Sequence, residues 1–352
     1  MSVKRTEFLR ALEIVRPGLA NREVIDHSTS FAFMGDRVVT YNDEISISCP
    51  LAGLFLNGAV KADILYNLLG KLSEENVQIS VTDTELLLRA GKTKAGLALV
   101  TEVRLPLDEV TTMDNWKDLP KGFTESVRFA IESCGHDMSR PILTCCYVQK
   151  DGIVIGSDSY RISKWILPDP MPIESFLLPK SAAKEMLKIK PDLIAFTERV
   201  LEKGKDPVMV WIHFKNKTTG VIISCRTLAG EEYPNTDFYF EMEGINLNIP
   251  EALNDVLDRA VTLAKQEHEL DESVTIRLDN HKMVLESKTE LGWFKETIEN
   301  VQYEDEPIAF VVTPYLVKDI VSRASSCIMG EDRLRFEGES WVYIAALKSK
   351  IE

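Results

Sequence analysis

The side chains in this chain that could do chemistry are few and widely spaced. The five histidines, His27, His136, His213, His268 and His281, are scattered, and none stands at metal-ligand spacing from another. The six cysteines, Cys49, Cys134, Cys145, Cys146, Cys225 and Cys327, form no C-x-x-C pair and mostly sit among apolar residues, so they read as reduced core thiols. Gly53 to Gly58 approaches the spacing of a phosphate-binding loop but lacks the following lysine and hydroxyl residue, and reads as a turn at a strand end. The acidic runs Tyr303-Glu304-Asp305-Glu306-Pro307 and Gly330-Glu331-Asp332 read as solvated turns, not as paired catalytic carboxylates. A non-catalytic protein without metal or cofactor is the expectation.

Two constellations remain, and both suit recognition. From Ser139 to Trp165 the chain reads as a loop, a strand, a tight turn at Lys150-Asp151-Gly152 and a second strand. A polar turn, Ser157-Asp158-Ser159-Tyr160, then delivers Arg161 and Ile162, giving a β-hairpin that ends in an exposed arginine turn. The second constellation is the i, i+4, i+8 stripe of Lys180, Lys184 and Lys188, with only Glu185 as acidic counterweight. Arg5, Arg10, Arg16, Lys61, Lys71, Arg128, Arg259, Lys265, Lys318 and Arg323 lie on or beside the other helices. Yet the formal charge is −14, which argues against a broad basic face coating nucleic acid. Basic helix faces on an acidic protein imply one positive surface inside a negative exterior.

The elements that must position these residues recur three times. Residues 4 to 16 form an amphipathic helix with Phe8, Leu12 and Val15 on one face and Arg5 and Arg16 turned from it. Strands follow at Phe31 to Met34, Arg37 to Tyr41 and Ile45 to Cys49, then a helix from Lys61 to Leu72 and short strands from Val77 to Leu99. A second round opens at Val127 to Cys134, continues through the arginine hairpin, and adds the lysine-striped helix after Pro179 and strands at Val208 to His213 and Gly220 to Thr227. Asp192 to Lys205 fits no element and looks like an insertion. The third round starts at Pro250 with Leu253, Val256, Leu257, Ala260 and Leu263 or Ala264 as its apolar stripe. Strands at Val274 to Leu278 and Met283 to Ser287, a helix capped by Thr313-Pro314, and strands at Leu334 to Phe336 and Trp341 to Leu347 complete it. Two helices per round give six.

A period of 115 to 130 residues is too long for a solenoid and points to three domains of one design, at 1–117, 118–245 and 246–352. DRVVTYNDEISIS (Asp36 to Ser48) and GIVIGSDSYRISK (Gly152 to Lys164) are the clearest matching hairpins, with Lys282 to Trp293 a weaker third. The fold class is α+β with antiparallel sheets. Neither a signal peptide nor an apolar run long enough to cross a membrane is present, and a cytoplasmic setting is expected.

In whole-chain organisation and in several motifs the sequence resembles the bacterial DNA polymerase III β-subunit (DNA sliding clamp) family. SRPILTCC followed by GSDSYRIS resembles the family's R-x-x-L segment and T-D-G-x-R-L turn, with Arg140, Leu143, Asp158, Arg161 and Ile162 in corresponding places. AGEEYP (Ala229 to Pro234), DRAVTLAKQE (Asp258 to Glu267) and TPYLVKDI (Thr313 to Ile320) are similar to three further family segments. The resemblance implies a head-to-tail homodimeric ring of three clamp domains per chain, helices lining a central hole and sheets outside. Its implied partners are double-stranded DNA held by linkage, a replicative DNA polymerase, a clamp loader and a second copy of the chain. A hydrophobic pocket for partner peptides is implied at Leu143, Ser157, Ser159, Tyr160, Arg161, Ile162, Pro234, Val312, Tyr315, Ala345, Ala346 and Leu347. Arg22, Lys71, Arg140, Lys180, Lys184 and Lys188 are implied near DNA, and Ala95, Leu97, Thr262 and Leu263 at the dimer interface.

The sequence also departs from the family pattern. Ala345-Ala346-Leu347-Lys348 stands where the family has M-P-M-R-[LI], followed by the extra residues Ser349 to Glu352. Ser159 replaces the turn glycine, Val312 an asparagine, and Ala95 a large aromatic. Such divergence fits a phage-encoded or specialised clamp. A clamp-fold scaffold that no longer encircles DNA is the rival, and the trimeric two-domain clamps are the fold-level alternative.

Overall fold

The computed structural model describes residues 1–111, 113–201 and 203–348; the tail Ser349 to Glu352 and Glu202 of the unassigned segment lie outside the described residues. Among the described residues there are seven α-helices: α1 (Arg5–Val15), α2 (Ala62–Lys71), α3 (Asp108–Thr111), α4 (Phe123–Ser133), α5 (Lys180–Ile189), α6 (Leu253–Ala264) and α7 (Pro314–Val321). The chain forms two compact units, one of Met1–Arg128, Val148–Asp151 and Asp169–Glu231, the other of Phe129–Tyr147, Gly152–Pro168 and Glu232–Glu352.

In the first unit an antiparallel eight-stranded sheet runs in the order Leu56–Lys61, Ser30–Gly35, Arg37–Tyr41, Ile45–Pro50, Ile222–Arg226, Val208–Lys215, Leu193–Arg199 and Lys117–Asp118. Sequence-distant strands join at its middle, where Ile222 pairs with Ser48 and Cys225 with Ile45. Its central strands are buried on both faces, with successive residues such as Val38 and Val39, and Ile212, His213 and Phe214, all buried, and they read as short apolar runs. On α1 the apolar residues three and four apart, Phe8, Ala11, Leu12 and Val15, are buried against the sheet, each large side chain contributing roughly 1.5–3 kcal/mol. A second, four-stranded sheet orders Ser2–Lys4, Asn76–Val81, Glu85–Ala90 and Thr93–Ala98.

In the second unit seven strands follow the same plan: Cys145–Val148, Ile153–Ser157, Arg161–Ile166, Trp341–Ala346, Arg333–Glu337, Ser326–Met329 and Ile245–Asn248. Here Arg161 pairs with Ala345 and Ile162 with Ile344, so the second hairpin strand again takes a strand from far along the chain. Gly156 lets α4 lie close on this sheet, because a Cβ there would stand 1.9 Å from the Ala130 carbonyl oxygen. A four-stranded sheet of Gly292–Glu299, Lys282–Thr289, Val274–Asp279 and Ile308–Val312 packs its alternate residues on α6. The core gathers Leu257, Val274, Leu285, Leu316, Phe336 and Tyr343, with Phe129 set 5.5 Å from Trp165 and 5.2 Å from Trp341 between ring centroids.

The α+β class, the antiparallel sheets and the six long helices match the expectation, and several local details differ. Leu193–Arg199 is an integral strand pairing with both Val208–Lys215 and Lys117–Asp118, so half of the segment taken for an insertion is sheet. Neighbouring Ile194 and Ala195 are both buried and a bulge at Thr197/Glu198 shifts the register, so no period-two pattern marks it. The one-turn helix α3 and the strand Gly292–Glu299 were not anticipated. Helix α6 begins at Leu253, three residues after Pro250, and Thr313 sits at the N-cap of α7 without a side-chain capping bond. Arg5 is not on an open basic face: its guanidinium donates to the Leu69 and Glu74 carbonyl oxygens at 3.2 and 3.1 Å, a cation over the end of α2.

Candidate functional site

The turn that ends the Ile153–Ser157 and Arg161–Ile166 hairpin is wired by its own polar side chains. Asp158 Oδ1 accepts from the backbone N–H groups of Tyr160 and Arg161, both at 3.0 Å, and Ser157 Oγ donates to the Arg161 carbonyl oxygen at 3.0 Å. Asp158 Oδ2 then takes Arg161 Nε at 2.9 Å. Arg161 is 5 % exposed, so the arginine read as the exposed tip of the turn is buried. Its remaining donors face α7, with Nη2 at 2.5 Å from Tyr315 Oη and Nη1 at 3.4 Å from the Tyr315 carbonyl oxygen. Burial alone would favour the neutral guanidine, but the facing Tyr343, Asp158 and Tyr315 outweigh it and raise the pKa above its ordinary value. Arg161 is therefore a permanent buried cation that fastens the turn to α7 and presents one edge to the space beside it.

That space is a cavity of about 350 Å³. It is lined by Leu143, Ser157, Ser159, Tyr160, Arg161, Ile162, Pro234, Asn235, Thr236, Phe238, Tyr239, Asp332, Arg333, Ile344 and Ala346. Leu143, Ile162 and Ile344 give it an apolar floor, and the serines, Asn235 and Thr236 add a few polar groups, the make-up of a site for an apolar ligand held in one orientation. Ile162 doubles as core, packed with Ile155 and Ile344.

Of the residues expected in a partner pocket, Leu143, Ser157, Ser159, Tyr160, Arg161, Ile162, Pro234 and Ala346 line this cavity. Val312, Tyr315, Ala345 and Leu347 do not. Val312 and Ala345 are buried in their sheets, Tyr315 stands behind Arg161, and Leu347 packs on the core while its backbone N–H donates to the Asp332 carbonyl oxygen at 2.8 Å. Asn235, Thr236, Phe238, Tyr239, Asp332, Arg333 and Ile344 were missed. The aromatic run Phe238-Tyr239-Phe240 just after Pro234 was a visible signal, because exposed rings in a loop mark a contact surface.

The expected cationic positions are distributed over both units. In the first, Arg22 is exposed in a loop, Lys71 is exposed at the last position of α2, and Lys180, Lys184 and Lys188 run along α5. Lys188 Nζ is bonded to Glu185 at 2.7 Å, whereas Lys184 is exposed and makes no ion pair among the described residues. In the second unit Arg140 is exposed and donates to Ser159 Oγ at 3.0 Å. Ala95 and Leu97 lie half-buried on Thr93–Ala98, the edge strand of the first unit's smaller sheet. In the second unit, Thr262 is exposed and Leu263 half-buried near the end of α6. No cluster that could hold a metal ion occurs among the described residues, and no helix among them is long and apolar enough to cross a membrane.

No family model matches the sequence, and no curated protein does. Solved structures do match. The chain is similar to the DNA polymerase III β subunit of Thermotoga maritima, with 17% identity over 99% of both chains and a TM-score of 0.74. It is similar to the DNA polymerase sliding clamp of Bacillus subtilis, with 17% identity, a TM-score of 0.79, and 99% of this chain and 98% of that one covered. The DNA polymerase III β chain of Streptococcus pneumoniae aligns with 16% identity and a TM-score of 0.81 over 99% of both. From end to end, and despite this low identity, the chain has the fold of the bacterial DNA polymerase III β subunits, the DNA polymerase sliding clamps.

Proposed function

We propose that this protein is a DNA sliding clamp, a replication processivity factor that encircles duplex DNA and tethers a replicative DNA polymerase. The observation that carries the reading is the similarity in fold to sliding clamps over 99% of this chain and of theirs. The chain comprises three clamp domains, residues 1–117, 118–245 and 246–352, and two copies close head to tail into a ring. Ala95 and Leu97 of one copy meet Thr262 and Leu263 of the next. Arg22, Lys71, Arg140, Lys180, Lys184 and Lys188 attract phosphate weakly and without regard to sequence, so that DNA is held by linkage and remains free to slide. A clamp loader opens and closes the ring, in the cytoplasm of a bacterium or of an infected bacterial host.

The polymerase and the loader bind through short peptides in the cavity at Leu143, Ile162 and Ile344, whose apolar floor and few polar anchors suit a peptide contact of modest affinity. Val312, Tyr315, Ala345 and Leu347 support that cavity from behind. No step in this function is catalytic. A second reading, a clamp-fold scaffold that does not encircle DNA, is favoured by the pairing of helix cations with carboxylates: Lys188 with Glu185, Lys318 with Asp258 and Arg323 with Glu132.

The two readings separate in one experiment. The protein is loaded with its replication partners onto nicked circular DNA, and the DNA is then linearised. A ring slides off the ends and is lost; retention on linear DNA, or a monomer at micromolar concentration in sedimentation, overturns the clamp reading.

A further inference from the structure

The mouth of the cavity is acidic and aromatic. Asp332 lines the cavity, and Asp237 lies in the chain between the lining residues Thr236 and Phe238; their side chains are 69% and 72% exposed and pair with Arg333 at 2.7 Å and Lys164 at 3.3 Å. Lys164 and Arg333 are largely buried, at 18% and 23% exposure, so each pair turns its carboxylate outward to solvent. Glu232, Glu241 and Glu331, on the same rim segments, are exposed and hold no ion pair among the described residues. Between these carboxylates Phe238 and Tyr239 lie with ring centroids 4.0 Å apart, Phe238 being 57% exposed. Large exposed rings beside carboxylates offer a cation both a π-face and a counter-charge. Inside the rim the floor is aliphatic.

Resting on the peptide-pocket reading above, we infer that the segment this cavity takes is a short apolar peptide flanked by lysine or arginine. Aliphatic anchors fill the floor over Ile162 and Ile344, and a flanking guanidinium or ammonium lies on Phe238 between Asp237 and Asp332. A negatively flanked segment meets net repulsion on this side of the mouth, where Asp237, Asp332, Glu232, Glu241 and Glu331 outnumber Lys164 and Arg333.

The test uses the full-length protein and three fluorescent ten-residue synthetic peptides sharing a central Leu-Leu pair, with flanks of Lys and Arg, of Gly and Ser, or of Glu. Binding is followed by anisotropy at 50 and 300 mM salt. The basic peptide is expected to bind at least tenfold tighter than the acidic one, with the neutral peptide between them, and the gap should shrink several-fold at the higher salt. Because a chain of net charge −14 attracts any cation, site variants complete the test. Phe238→Ala should weaken the basic peptide about fivefold, and Asp237→Asn with Asp332→Asn should abolish the preference, both with unchanged circular dichroism. A basic peptide indifferent to these substitutions is bound by general charge and overturns the inference. Equal or reversed affinities that still respond to Phe238→Ala overturn the charge preference alone and leave the peptide pocket standing. If no peptide binds, the inference and the pocket fall together, while the ring is judged separately by its escape from linear DNA.

Discussion

Arg161 holds its guanidinium carbon 4.3 Å from the ring centroid of Tyr315 while Nη2 donates to that same residue's Oη at 2.5 Å. One contact thus ties the hairpin turn to the first turn of α7, and the cavity wall depends on it. Arg161 is buried and Tyr315 half-buried, so losing this contact costs the link to α7, although Arg161 keeps Asp158 and Tyr343 as partners. Tyr315→Phe keeps the ring and loses one charge-assisted bond, and should cost about 1–2 kcal/mol in urea unfolding. Arg161→Ala strands the Asp158 carboxylate as well and should cost about 3 kcal/mol. Arg161→Lys cannot reproduce the forked geometry and should fall nearer the alanine variant than the wild type. A Tyr315→Phe protein as unstable as Arg161→Ala would show that the ring, not the hydrogen bond, carries the link.

Ser159 bears a backbone cost in the same turn. Its φ is +78°, in the left-handed region where a side chain crowds the following carbonyl at roughly 1–2 kcal/mol. Its hydroxyl offsets part of that by accepting from Arg140. Ser159→Gly removes the crowding and the hydroxyl together, and glycine's greater freedom in the unfolded chain takes back some of the gain. A net stabilisation of up to about 1 kcal/mol is expected, together with a more mobile Arg140. Loss of stability in Ser159→Gly would mean that the hydroxyl outweighs the strain.

His213 sets an acid limit on the first unit. The ring is fully buried, with Nδ1 2.7 Å from Ser224 Oγ and Nε2 2.9 Å from Thr197 Oγ1. The Thr197 hydroxyl already donates to the Glu109 carbonyl oxygen at 3.0 Å, so Nε2 carries the proton and Nδ1 accepts from Ser224. Neutral imidazole satisfies every partner, and burial pushes the pKa down to about 3. The unfolded chain, with a histidine pKa of about 6.5, takes up a proton first as pH falls. The stability His213 contributes is therefore whole above about pH 6.5 and declines by about 1.4 kcal/mol per unit on the way down towards pH 3. Urea midpoints at pH 7, 5.5 and 4.5 should fall more steeply for the wild type than for His213→Gln, by one proton's worth. Parallel curves would refute the assignment.

How far the sequence reaches is visible in these same residues. The short β-rich apolar runs around Val39, Ile47 and Ile155, bounded by turn residues, and the helical spacing of Phe8, Leu12 and Val15 are local marks, so strands and helices could be read directly. The hairpin turn was legible because Asp158 and Ser157 are residues that bond their own backbone. Pairing between distant strands has no such local mark: nothing in Ile222–Arg226 announces Ile45–Pro50 as its neighbour. The burial of Arg161 was invisible for the same reason, since Tyr315 lies 154 residues away. Asp332, Arg333 and Ile344 reach the cavity only through that long-range pairing, whereas Phe238 and Tyr239 could have been singled out from their own composition.

Helix α5 gives a direct test of the proposed contact with DNA. Lys184 and Lys188 sit one turn apart on the same face, but Lys188 is engaged by Glu185 at 2.7 Å and Lys184 is not paired among the described residues. A lysine that neutralises a phosphate releases a counterion, and each such contact adds about 0.9 to the slope of log affinity against log salt. A lysine already held by a carboxylate brings no net charge and adds less. Lys184→Ala should therefore lower the salt slope for duplex DNA by nearly a full contact, and Lys188→Ala by clearly less. Glu185→Gln should release Lys188 and steepen the slope. The weak affinities that the sliding-clamp proposal implies call for short salt titrations at 20 to 100 mM, read by anisotropy on a labelled duplex. Equal effects of the two lysines would place Glu185 outside the electrostatics of the DNA-facing surface, and no effect of either would remove α5 from that surface altogether.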